Sequence, residues 1–177
     1  MMKYVQNSSI LLILVFSIIG CSSSKVVYDY DTSINFENYK TFQFFEDAGK
    51  GLNALDIKRV TGEIIFLLEQ KGMKLSDNPD MYIDVLSKES IVENNSTIGV
   101  GIGGGGRVGF NISGGIPLET RKIKQELTVN FIAGKNDALL WQGIANTNIK
   151  KNLSPQERTA YYQKITAKIL EKYPPEK

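Results

Sequence analysis

RKIKQELTVNFIAGKNDALLWQGIANTNI, Arg121 to Ile149, sets the architecture of this 177-residue chain. In its first half Ile123, Leu127, Val129, Phe131 and Ala133 alternate with Lys122, Lys124, Glu126, Thr128 and Asn130. A period of two places the first set on one face of a β-strand and the second on the other. Gly134-Lys135-Asn136-Asp137 supplies hairpin-turn chemistry. The chain then returns through Ala138 to Ile149, with Leu139, Trp141, Gly143 and Ala145 expected on one face. Long alternating strands joined by a tight turn imply an antiparallel sheet with one apolar and one solvated face.

The flanking segments supply more of the same sheet and its cover. VVYDYD, Val26 to Asp31, alternates as a strand, with Val26, Tyr28 and Tyr30 on one face and Val27, Asp29 and Asp31 on the other. YKTFQFF, Tyr39 to Phe45, is a second aromatic strand, and MYIDVLSKESIV, Met81 to Val92, a long third. Asn53 reads as an N-cap, with Asp56 favoured at the positive helix end. Ile57, Val60, Ile64, Leu67 and Leu68 follow at helical spacing, and Gly72 offers a stop, so a helix is predicted over Ala54 to Lys71. Gly62 inside it is expected to mark close packing against the sheet. Ser154-Pro155-Gln156-Glu157 is a capping box with Pro at N1. It opens a helix carrying Tyr161, Ile165, Ile169 and Tyr173 and ended by Pro174-Pro175. The expected fold is α+β: an antiparallel sheet with two amphipathic helices on one face, plus a glycine-rich hairpin.

That hairpin is expected within residues 97–117, where nine of the seventeen residues from Gly99 to Gly115 are glycine. Gly99, Gly101 and Gly104 fit the G-x-G-x-x-G spacing of a phosphate loop. Such a loop needs a helix straight after it, and the following VGFNISGGIP has no helical periodicity. The parity is more informative. Ile98, Val100, Ile102, Val108, Phe110 and Ile112 all fall on even positions, so a hairpin turning at Gly104-Gly105-Gly106 has one apolar and one nearly bare face.

The N-terminus addresses location. Lys3 precedes ILLILVFSII, Ile10 to Ile19, which is shorter than the roughly 20 apolar residues a spanning helix needs. Ile18-Ile19-Gly20-Cys21 resembles the bacterial lipobox. The resemblance implies cleavage before Cys21, a diacylglycerol thioether on its sulfur, and acylation of the new amine. Residues 1–20 are then the signal peptide, 21–25 a lipidated tether, 26–173 a single domain, and 174–177 a tail. Two or three acyl chains hold a protein durably on a membrane where one does not. Ser22 after the cysteine resembles lipoproteins sent to the outer membrane, facing the periplasm.

Composition removes several chemistries. There is no histidine, so His-based acid–base catalysis and the commonest transition-metal ligand are gone. Cys21 is the one cysteine, so no intramolecular disulfide forms, and its lipidation would remove the thiolate. The 21 basic and 19 acidic residues give no electrostatic case for nucleic acid. No cofactor and no metal site is expected. Asp29 and Asp31 share a strand face but lack a third ligand, and Asp80 and Asp84 are read as sharing neither that face nor a partner with them. Tyr161, Tyr162 and Tyr173 are candidates for a groove lining or for core and rim packing; Trp141 is expected in the core.

Val27-Tyr28-Asp29-Tyr30-Asp31, Phe36 to Phe42 as FENYKTF, a helix, Pro79-Asp80 opening a strand, a glycine-rich segment, and Leu140-Trp141-Gln142-Gly143-Ile144-Ala145 occur in that order. The order resembles bacterial lipoproteins of domain-of-unknown-function family 4136 over most of the chain after residue 20. The resemblance implies an envelope lipoprotein and brings no catalytic residue or cofactor. Two functional classes follow. The first is a non-enzymatic binding or assembly module held on the membrane through Cys21, with an envelope protein or lipid as partner. The second is an envelope hydrolase using carboxylates alone. An apolar groove between helices and sheet would favour the first, and converging buried carboxylates the second.

Overall fold

The structure, a computed structural model, describes residues 24–92, 122–150 and 152–175. The expected signal peptide, Cys21, and the glycine hairpin expected over 97–117 lie outside the described residues. Six strands form one sheet: β1 (Lys25–Tyr30), β2 (Thr41–Phe44), β3 (Lys74–Leu75), β4 (Met81–Val92), β5 (Lys122–Ala133) and β6 (Leu139–Lys150). Two helices, α1 (Ala54–Gln70) and α2 (Pro155–Leu170), complete the α+β sandwich. The spatial order of strands is β1-β6-β5-β4-β2-β3.

β4, β5 and β6 carry 12 residues each, about 40 Å of strand. Their antiparallel registers run from Met81↔Ala133 to Val92↔Lys122 and from Phe131↔Trp141 to Lys122↔Lys150. β1 adds antiparallel to β6 from Tyr30↔Trp141 to Lys25↔Asn146. The sheet is nonetheless mixed rather than wholly antiparallel: β2 runs parallel to β4, with Phe42 opposite Met81, and β3 runs parallel to β2. Side-chain alternation reports faces and not direction. The clue to direction is α1, because parallel neighbours need a long crossover and a helix provides one.

Two devices hold the parallel edge. Asp80 Oδ2 accepts from Lys40 N at 2.9 Å, Thr41 N at 2.9 Å and Thr41 Oγ1 at 2.8 Å, while Thr41 Oγ1 accepts from Asp80 N at 2.9 Å. The starts of β2 and β4 are thereby clasped. Beyond β2, Gly49 N donates to Val85 O and Ser87 N donates to Lys50 O, keeping the loop on β4. Gly51 has φ +90, and a Cβ there would lie 1.9 Å from Ser87 O, so only glycine permits this approach.

The hydrogen bonds to Asp80, the Lys40 amide first, hold its carboxyl below the ordinary 3.8. A depressed folded value means that its contribution is intact above 3.8 and is lost as pH falls through the folded value. Asp80→Ala should destabilise by about 1–3 kcal/mol at neutral pH through lost acceptors. Acid titration of unfolding should show a shallower loss of stability below pH 4 for the variant than for the native chain. An identical acid profile would rule out the clasp.

Both helices lie on the face that carries Phe42, Met81, Ile83, Val85, Leu127, Val129, Phe131 and Trp141, all buried. Asn53 caps α1 by accepting from Leu55 N and Asp56 N, and Ser154 and Glu157 form a reciprocal capping box on α2. α1 buries Val60, Ile64 and Leu68; α2 buries Tyr162, Ile165, Ile169 and Leu170. Gly62 packs on nothing within 4 Å and faces solvent, contrary to the close approach expected of it.

A bulge corrects the face assigned to Leu139. Phe131 pairs with Trp141 but Ile132 pairs with Leu139, so Leu140 is an extra residue. Leu140 is 1% exposed, whereas Leu139 is 50% exposed and points away. From Trp141 onward the expected parity holds, with Gly143 and Ala145 inside. A Cβ on Gly143 would meet Trp141 Cη2 at 2.4 Å and Ile169 Cγ2 at 2.7 Å. The indole therefore lies along its own strand, over Gly143 and under α2. Gly143→Ala should destabilise by about 2 kcal/mol through overpacking, read as a lower denaturant midpoint at unchanged slope. An unshifted midpoint would show that the indole has room to move.

Candidate functional site: an aromatic groove at the helix ends

Three segments meet where both helices finish: the link from β1 to β2, Lys71 to Met73 after α1, and the chain after α2. Between them is a groove of about 590 Å³ lined by Tyr30, Ile34, Phe36, Tyr39, Met73, Tyr173, Pro174 and Pro175. Thr32, Asn35, Glu37, Lys40 and Lys71 supply polar groups around it. The link keeps its shape through local bonds. Asp31 Oδ1 accepts from Ser33 N and Ser33 Oγ, and Asn35 Oδ1 accepts from Glu37 N to cap a 3-10 turn, Phe36–Asn38. The bonds to Ser33 draw the Asp31 carboxyl below its usual range.

The groove floor is continuous with the core. Tyr30 and Phe36 meet edge to face at 6.2 Å, and Phe36 meets Tyr173 at 5.8 Å. Tyr173 in turn packs on Phe131 at 4.4 Å and on Trp141 at 5.6 Å. Its hydroxyl donates to Met81 Sδ at 3.6 Å, and burial pushes its pKa upward. Five aromatic rings thus run from a half-buried rim to the centre of the domain. Edge-to-face rings at these spacings add stiffness beyond area burial.

The three tyrosines of α2 and its end therefore separate. Tyr173 reaches the groove. Tyr161 and Tyr162 instead join a polar cluster toward the other end of the sheet. Gln125 is 1% exposed; its Nε2 donates to Ser87 Oγ, Glu89 Oε1 and Tyr162 OH at 3.1–3.2 Å, and its Oε1 accepts from Tyr161 OH at 2.8 Å. Thr147 hydrogen-bonds Tyr161 as well. Burial raises both phenols, Tyr161 to about 12, so neither ionises near neutrality. Every polar atom of Gln125's amide is engaged, which is the pattern of a satisfied core network.

The carboxylates are also occupied. Asp56, read from sequence as a dipole partner, is 1% exposed and is the centre of an interhelical cluster. Arg59 Nη1 lies 2.7 Å from Oδ1, Arg158 Nε 3.0 Å from Oδ2, and Asn53 Nδ2 donates to Oδ2 at 2.6 Å. Asp80 is the clasp of β2 and β4. Asp29 and Asp84 do share a face, contrary to the sequence reading: Asp29, Gln142, Asn130 and Asp84 form one cross-strand row on the uncovered side of the sheet. Gln142 Nε2 donates to Asn130 Oδ1 at 2.8 Å within that row. Among the described residues no three acidic side chains gather as metal ligands, and no helix is long and apolar enough to cross a membrane.

Sequence reasoning found Tyr173 as a groove candidate but missed Phe36, Ile34, Met73 and the two prolines. Phe36 lies in the FENYKTF segment, whose aromatic spacing was the available signal. The groove's partners are far apart along the chain, and no local pattern assembles them.

Comparison with solved structures recovers the fold. A PDZ domain protein from Parabacteroides distasonis superposes with a TM-score of 0.52 at 17% identity, covering 92% of this chain and 39% of that protein. The present chain thus spans about two fifths of that relative's length. A variant of the PelC dodecamer from Paraburkholderia phytofirmans gives a TM-score of 0.50 at 10% identity, covering 84% of this chain and 96% of that one. At such identities the likeness concerns the fold alone. No functionally curated protein matches the sequence. The family model described as a domain of unknown function, DUF4136, matches residues 26–175, from the first residues of β1 through the prolines of the groove, and the chain belongs to that family.

Proposed function

We propose that this chain is a lipid-anchored module of the bacterial cell envelope that binds an envelope protein or lipid rather than catalysing a reaction. The observation that carries the binding half is the aromatic groove. Its volume of about 590 Å³ falls in the range of ligand sites, roughly 300–1,000 Å³. Its floor is fixed by rings that continue into the core, so it is formed before any partner arrives. Among the described residues the buried carboxylate Asp56 and the clasp Asp80 are committed to structural contacts, which weighs against the hydrolase reading.

The anchoring half rests on Ile10 to Cys21, with Cys21 as the acylated residue and the outer membrane, periplasmic side, as the location suggested by Ser22. Cys21→Ser should abolish metabolic labelling by fatty acid and release the chain from the membrane fraction. Retained labelling would reject Cys21 as the site. For the groove, a photoreactive side chain at Thr32 should give a discrete crosslinked species in cells, and one at Lys58 on α1 should not. Equal adducts from both positions, or none from Thr32, would reject the groove as the contact site.

A further inference from the structure

The side of the sheet not covered by helices is electrically divided. Near the groove end it carries the row Asp29, Gln142, Asn130 and Asp84. Further along the strands lies a second row, Lys25, Asn146, Glu126 and Lys88. Beyond it Lys124 sits opposite Asn148 and Ser90, and Lys150 follows two residues after Asn148. Parity places all of these on the same uncovered face. Lys25, Lys88, Lys124 and Lys150 are all exposed. Glu126 is the one acid among them, and it sits 3.7 Å from Lys88, whose side chain remains 81% exposed. Among the described side chains, four cations and one carboxylate occupy one half of the face, and two carboxylates occupy the other.

The position of the chain entry gives this patch its occupant. Ser24 is held by Lys168 Nζ at 2.7 Å, and Lys25 begins β1 within the cationic row. Four residues from Cys21 to Lys25 span at most about 14 Å when fully extended. An acyl group on Cys21 would hold the patch within one or two screening lengths of the bilayer, about 8–10 Å each. Because about 14 Å is an upper bound on that reach, the patch can come within one screening length, where lysines facing an anionic leaflet attract it.

We propose that the uncovered sheet half bearing Lys25, Lys88, Lys124 and Lys150 docks on an anionic phospholipid surface, orienting the groove away from the membrane. The inference rests on the anchoring reading, because the short reach from Cys21 sets the distance. The acidic row at the groove end is repelled by the same surface, so the face tilts rather than lies flat. Anchoring fixes where the chain is, and the patch fixes which way it faces.

The test uses the full lipidated protein carrying Asn148→Cys, labelled with a fluorophore and reconstituted in phosphatidylcholine vesicles that contain a headgroup quencher. A second set of vesicles holds about one third phosphatidylglycerol. Quenching should rise at least about threefold in the anionic vesicles and return to the neutral level in molar salt, where the screening length is about 3 Å. The triple variant K88Q/K124Q/K150Q should abolish the rise while its circular dichroism and melting stay unchanged. A label at Lys58→Cys on α1 should respond to neither lipid nor salt. Equal quenching of the Asn148 label in both vesicles, or a rise that survives the triple variant, would overturn the docking. Failure of anchoring has a separate signature: the chain lacking Asn148→Cys would then take up the thiol label at Cys21 and would not float with neutral vesicles.

Discussion

Trp141→Ala should destabilise the domain by about 4 kcal/mol, the largest single-residue loss in the structure. The indole is fully buried, packs on Phe131 at 5.1 Å and on Tyr173 at 5.6 Å, and fills the space over Gly143 beneath Ile169. Removing it leaves a cavity whose walls are three separate elements: β5, α2 and the segment after α2. Strands paired on both sides cannot move in to fill that space, so the cavity term is retained. Since domains of this size are stable by about 5–15 kcal/mol, the variant should remain folded but melt about 10 °C lower. Tyr173 would lose one of the three rings it packs on, so binding at the groove should weaken more than the loss of folded protein explains. Trp141→Phe is the control. Its Nε1 finds no acceptor among the described residues, so phenylalanine should lose volume without stranding a polar partner. A loss below about 1 kcal/mol for the alanine variant would show that the aromatic chain does not brace the groove.

Asp56→Ala is expected to cost about 3 kcal/mol. The carboxylate is nearly inaccessible and answers two guanidinium groups, one on each helix, together with the Asn53 amide. Removing it leaves the Arg59 and Arg158 guanidinium groups without their shared carboxylate at the helix interface, while Arg59 Nε keeps its bond to Thr159 Oγ1 at 3.0 Å. Their side chains keep 16% and 30% exposure, which lets water relieve part of the penalty and keeps the expected loss at the lower end for a buried pair. A double-mutant cycle between Asp56→Ala and Arg158→Ala should give a coupling above about 1 kcal/mol that persists in molar salt. Additive losses would reduce the cluster to a surface pair of little worth.

Much of the sandwich is written locally. Asn53, and Ser154 with Glu157, announce both helix starts, and the alternation from Ile123 to Ala133 assigns the core face of β5 residue by residue. These features need only the neighbouring residues, so sequence displays them. Three others depend on distant contacts. The direction of β2 is decided by the crossover through α1 and the Asp80 clasp, and a four-residue strand shows no direction of its own. The inward turn of Leu140 arises from a bulge that only pairing with β5 creates. Burial of Asp56 requires Arg158, more than a hundred residues on. The groove was the least legible part, because Phe36, Met73 and Tyr173 come from three segments that meet only after the helices are in place.

Hydrogen–deuterium exchange of the native protein in its own membranes, compared with the purified protein, tests the proposal that the groove is the contact surface. Peptides covering 30–40 and 171–175 should exchange more slowly in the membranes, while peptides from the exposed side of α1 exchange alike in both. Identical exchange at the groove segments in the two preparations would contradict a bound partner there.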